Sequence, residues 1–106
     1  MDLAEACYRV TVAFPADERF GLISQIRRAA ASVPANIAEG YGRDSSGAFI
    51  QGLRVAQGSL KELETHILLN ARLKMIEQDD SAPILRSCDE LGRMLRALIR
   101  KLQDSR

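Results

Sequence analysis

The chain has 106 residues, of which 46% are hydrophobic and 27% charged. That composition suits one domain with a single core and argues against disorder. The formal net charge of +1 gives no chain-wide attraction for polyanions or membranes, so any such partner has to be met by a local patch.

Aromatic residues are scarce and Trp is absent, while Ala, Leu, Arg and Glu are plentiful, which favours helix over sheet. From Asp2 to Phe14 the apolar positions Leu3, Cys7, Val10 and Phe14 are spaced 4-3-4. This predicts a first helix that Pro15 ends. After the corner PADER, a second stripe runs through Ile23, Ile26, Ala30, Val33 and Ile37 and keeps its register across Pro34. The expectation is one kinked helix from about Phe20 to Tyr41, with Gly40 and Gly42 supplying a positive φ at its end.

Ser45 or Ser46 then caps a third helix carrying Phe49, Leu53, Ala56, Leu60, Leu63 and Ile67, which runs to about Met75. EQDDSAP makes the next corner, with Asp80 or Ser81 as cap and Pro83 in the first turn. A fourth helix follows with Ile84, Cys88, Leu91, Leu95, Leu98 and Leu102. Leu60, Leu63, Leu95 and Leu98 fall at the centre of the last two patterns and are predicted core. Short corners make neighbouring helices antiparallel, so the predicted fold is all-α, an up-down-up-down four-helix bundle over residues 1–106. The first helix is too short to cover the bundle's length. Val55, Leu69 and Leu73 lie on the back of the third helix, and the two features together predict self-association.

Catalytic chemistry is poorly provided. Cys7 and Cys88 sit on apolar stripes without CxxC spacing, as buried free thiols do. His66 is the sole histidine, and Leu63 stands where a bundle di-iron site needs a glutamate. No metal or cofactor is therefore expected. The serines have no local partner base, and Glu62 and Glu64 diverge on their helix. GYGRDSSG follows a helix rather than a strand and lacks the Walker lysine, so it reads as a corner between helices. No enzyme is expected. Apolar runs are too short for a membrane span, and no signal peptide pattern opens the chain, which points to the cytoplasm.

Charge patterning says more. Arg86, Arg93, Arg96 and Arg100 fall within an arc of about 80° opposite the leucine stripe, interrupted by Asp89. Arg54, Lys61 and Arg72 cluster on the third helix. A solvated outer face is the simpler reading of any one of these. Yet from Arg93 onward five basic residues face one acidic residue, and guanidinium suits phosphate oxygens. The candidate nucleic-acid contacts are Arg86, Arg93, Arg96 and Arg100, with Arg54 and Lys61 beside them. The alternative is a protein-interaction scaffold, for a polymerase for example, without nucleic-acid affinity of its own.

RFGLISQIRRAAASVPANIAEGYGR followed by GSLKELETHILLNARL closely resembles the four-helix-bundle family of 23S rRNA intervening-sequence proteins. The same fold occurs in the accessory variability proteins of diversity-generating retroelements. The resemblance implies a bacterial homopentamer without known catalytic activity. For the retroelement relatives it also implies binding of nucleic acid and of a reverse transcriptase through basic surface. The family's first helix ordinarily begins further upstream, with a tryptophan, so MDLAEACYRV corresponds to the middle of that helix.

The family motif falls on Ser24, Gln25, Arg27, Arg28, Pro34, Asn36, Glu39, Gly40 and Arg43, then on Gly58, Ser59, Glu62 and Glu64. Among these, Gln25, Arg28, Asn36, Glu39 and Arg43 join Ser32 in a polar stripe opposite the apolar one. It is expected to serve as an inter-subunit hydrogen-bond seam or a ligand-facing surface. Arg28 with Glu39, and Arg43 with Glu64, are the expected ion pairs, and Gly58 is expected to permit close helix approach.

Overall fold

Helix-favouring composition and apolar residues three and four apart leave each segment one face to bury, and the segments bury those faces against one another. The computed structural model describes residues 2–12, 19–43 and 45–105. Within them lie α1 (Asp2–Val12), α2 (Ser24–Tyr41), α3 (Ser46–Arg72) and α4 (Gln78–Asp104), with a π-helical turn, Arg19–Ile23, running directly into α2. α1 and α3 each pack on both α2 and α4. The result is an all-α four-helix bundle, elongated at 48 × 22 × 18 Å. Phe14 and Pro15, the expected end of the first helix, lie outside the described residues.

The core is Cys7 of α1, Ile26, Ala29, Ala30 and Val33 of α2, Leu53, Ala56, Leu60, Leu63 and Ile67 of α3, and Ile84, Cys88, Leu95 and Ile99 of α4. Leu98 departs from expectation: it is 36% exposed, and Ile99 takes the buried place. Thr11 is also fully buried. Its hydroxyl donates to the Tyr8 carbonyl (3.0 Å) and accepts from Arg27 Nε (2.9 Å), so both its needs are met. The Arg27 guanidinium lies 4.6 Å from the Tyr8 ring centroid, tying α1 to α2.

Ser45 caps α3 as expected, its side chain accepting from Ala48 N. The other ends differ from expectation. α2 continues across Pro34, but Gly42 has φ −69° and no described glycine has positive φ. Gly40 is instead buried in the helix. The positive φ falls on Lys74, at 62°. There Lys74 N donates to Ala71 O and Met75 N to Asn70 O, the paired bonds of a Schellman turn. α4 begins earlier than expected, after Glu77, with Pro83 inside it. Ser81 is buried and its hydroxyl donates back to the Gln78 carbonyl (3.2 Å) rather than capping.

Gly58 does not mediate helix approach: a Cβ placed there would meet nothing within 4 Å. The close crossing of α2 and α3 lies at Gly40 and Gly52. A Cβ on Gly52 would stand 2.7 Å from the Asn36 carbonyl oxygen and 2.9 Å from Gly40 Cα.

Candidate functional site

The antiparallel run of α3 past α4 sets the six predicted contact residues. All six are exposed. Arg54 and Lys61 on α3 and Arg96 on α4 come together along one groove of about 360 Å³, with Gln57, Gly58 and Gly92 between them. Gly92 is buried, and a Cβ there would lie 3.4 Å from Arg96 Nη1, so the Arg96 guanidinium folds back over the glycine toward α3. Arg86, Arg93 and Arg100 recur every seven residues and stand in a row along the outer side of α4, about 21 Å from first to last. They are not part of the groove.

The cations differ in how they are engaged. Arg93 pairs with Asp89 at 2.7 Å, one turn earlier, and Lys61 with Glu64 at 3.3 Å. Arg54, Arg86, Arg96 and Arg100 have no ion pair among the described residues. At its inner end the groove passes into a smaller depression between Lys61, Glu64, Asp89 and Arg96, so basic residues give way to carboxylates along it. Gln57, Gly58 and Gly92 were not predicted as part of this site. The signal for Gly92 was a glycine in the middle of a helix, where it usually marks a packing or functional need.

The polar stripe of α2 turns toward α3, and its hydrogen bonds are made within the chain. Arg28 Nη2 donates to Glu62 Oε1 at 2.6 Å, and the Ser32 and Ser59 hydroxyls meet at 2.7 Å. Asn36 Nδ2 donates to both the carbonyl and the hydroxyl of Ser32. Arg43 donates to Glu39 at 2.9 Å, while Gln25 is exposed. Both expected ion pairs are thereby corrected. Arg28 and Glu39 are eleven residues apart on one helix, about 16 Å, and Arg43 sits at the end of the bundle remote from Glu64.

Glu62 also receives His66, whose Nε2 is 3.5 Å from Oε1. Burial raises the Glu62 carboxyl, but the bonds and charges of His66 and Arg28 outweigh it and hold the group below its ordinary range. Burial pushes the Cys7 thiol up to about 11 and the Cys88 thiol to about 12, so both stay protonated and unreactive. No group of three or more His, Cys, Asp or Glu able to hold a metal occurs among the described residues. None of the described helices is long and apolar enough to cross a membrane.

The model of the family described as 23S rRNA-intervening sequence protein matches residues 1–97. A solved structure from Bacteroides thetaiotaomicron, a protein with unknown function from the S23 ribosomal protein family, is similar with a TM-score of 0.79. It is 25% identical, covering 92% of this chain and 95% of that one. No curated protein matches the chain.

Proposed function

This chain belongs to the 23S rRNA-intervening sequence protein family, and from that premise we propose that it is a non-catalytic helical bundle that binds RNA or DNA through its outward arginines. The observation that carries the reading is the set of exposed guanidinium groups on α3 and α4, of which Arg54, Arg86, Arg96 and Arg100 hold no ion pair among the described residues. A surface arginine kept without a carboxylate partner offers its full fork to phosphate oxygens. With a net charge of +1, binding rests on this local face rather than on long-range attraction.

Binding should be independent of base sequence and steeply salt-dependent. Replacing Arg96 and Arg100 by Gln removes two phosphate contacts. The slope of log affinity against log salt should flatten by about 1.4 on single strands and about 1.8 on duplex. Filter binding at a series of salt concentrations measures it. A double variant with the parent's slope would reduce these arginines to a solvated face.

A second reading, self-association, is favoured by a specific observation. Val55, Leu69 and Leu73 stand 41%, 47% and 57% exposed on one side of α3, and Met94 and Tyr41 are also open to solvent. Association would cover this apolar surface and repeat the arginine face around the assembly. Light scattering at micromolar concentration should give several times the 11.7 kDa chain mass, and the family resemblance specifies five copies. A monomer at that concentration would end this reading. A polymerase-type protein is the further partner that the resemblance suggests for the same apolar surface.

A further inference from the structure

We propose that the groove between α3 and α4 seats the phosphodiester backbone of a single strand of nucleic acid, gripped by Arg54 and Arg96 and turned out again at Glu64 and Asp89. This rests on the nucleic-acid reading above. It adds the path of the strand, its kind, and the point at which it leaves.

Size selects the strand. Packed helices lie about 8–10 Å apart, and the groove between these two holds about 360 Å³. That admits a sugar-phosphate backbone, whereas a duplex, whose major groove alone is about 12 Å wide, can only rest on the rim. The floor invites close approach. Gly58 carries no side chain and has open space above it, and the Arg96 guanidinium folds over Gly92 toward α3.

The walls provide the grip. Arg54 and Lys61 are seven residues apart on α3, about 10 Å along its axis, and Arg96 faces them from α4. Arg54 and Arg96 have no carboxylate partner among the described residues, whereas Lys61 is held by Glu64 at 3.3 Å. Two arginines therefore carry the contact.

No aromatic residue lines the groove. Tyr41 and Phe49 stack on each other at 5.4 Å elsewhere, and Tyr8 lies under Arg27. Bases find no stacking platform in the groove, so the strand is held by its phosphates with the bases outward, and sequence goes unread. The inner end sets the footprint. Glu64 and Asp89 border the depression that continues the groove, and their like charge expels the next phosphate, so the strand must climb out there.

The test is fluorescence anisotropy with a labelled oligo-dT and a labelled duplex of equal length. Gly58→Leu fills the groove without altering charge, and its site is open, so it should melt no lower than the parent. Gly58→Leu and Arg54→Gln should each weaken oligo-dT binding about tenfold, as loss of one charge-assisted contact does, and leave the duplex nearly unchanged. Glu64→Gln with Asp89→Asn should tighten oligo-dT binding. Arg86→Gln with Arg100→Gln, outside the groove, serves as the reference. If the parent binds neither probe, the nucleic-acid reading itself falls. If the parent binds, the reference variant weakens it and the groove variants do not, that reading stands and the groove proposal is overturned.

Discussion

Leu95→Ala should lower the unfolding free energy by about 2–5 kcal/mol, the lost transfer energy of the leucine plus the cavity it leaves. Leu98→Ala, three residues further along the same helix, should cost roughly half of that or less. Leu95 is 4% exposed and Leu98 36%, so the two truncations remove very different amounts of buried surface. Denaturant unfolding of both variants checks the contrast, with unchanged slopes showing that stability alone moved. In a domain of this size each kcal/mol corresponds to about 4–8 °C in Tm. Equal losses at the two positions would contradict the orientation of α4 described above.

Gly52→Ala should also destabilise, although alanine is the better helix former by about 1 kcal/mol. The new methyl would stand 2.7 Å from the Asn36 carbonyl oxygen and 2.9 Å from Gly40 Cα. Both obstacles are backbone, so no rotamer change relieves them and α2 must move off α3. Overpacking of this kind costs about 1–3 kcal/mol. Separation would also lengthen the Ser32–Ser59 and Arg28–Glu62 contacts, whose loss adds to the cost. Gly58→Ala is the matched control: nothing lies within 4 Å of its Cβ, so propensity acts unopposed and the variant should gain up to about 1 kcal/mol. Thermal melts of the pair, with opposite signs, would locate the helix crossing. A stabilised Gly52→Ala would displace it.

These two positions mark where the sequence was legible and where it was not. Apolar spacing revealed the helices and their buried faces through α3, because each stripe there is short or centred on the true core. Along α4 the pattern Ile84, Cys88, Leu91, Leu95, Leu98, Leu102 follows a 3.5-residue period. A straight helix turns every 3.6 residues and drifts about 20° per heptad. Over four turns that drift carries Leu98 out and Ile99 in. Hydrophobicity cannot register the difference, since both residues are apolar.

The glycines misled for another reason. Gly40 next to Gly42 looks like a helix stop, but the use of Gly40 is close approach to a residue twelve positions later, which no local pattern encodes. The Schellman turn was hidden in the opposite way, by a lysine at the position glycine usually takes. In the candidate site, the arginines were visible as an arc on one helix. Their division was not: Arg96 is drawn to the α3 groove while Arg86, Arg93 and Arg100 stay outside, a split that depends on where α3 lies. The ion pairs of Arg28 and Arg43 were misassigned because pairing across helices is a property of the packing and not of spacing.

The 11-residue α1 is shorter than the about 12–15 residues at which an isolated helix becomes even marginal in water. It is helical only while docked, and it docks through a few groups: Cys7, Thr11 and the stack of Tyr8 under Arg27. Being terminal, it can detach without opening a loop or breaking α2 from α3. The native state is therefore graded, with α1 as its first cooperative unit to open and the α2–α3–α4 assembly as its last. Amide protons of α1 exchange through this partial opening, ahead of those buried along α3. Cys7 and Cys88, sealed and inert in the closed bundle, meet solvent when α1 lifts, so their labelling by a thiol reagent clocks that event separately from global unfolding.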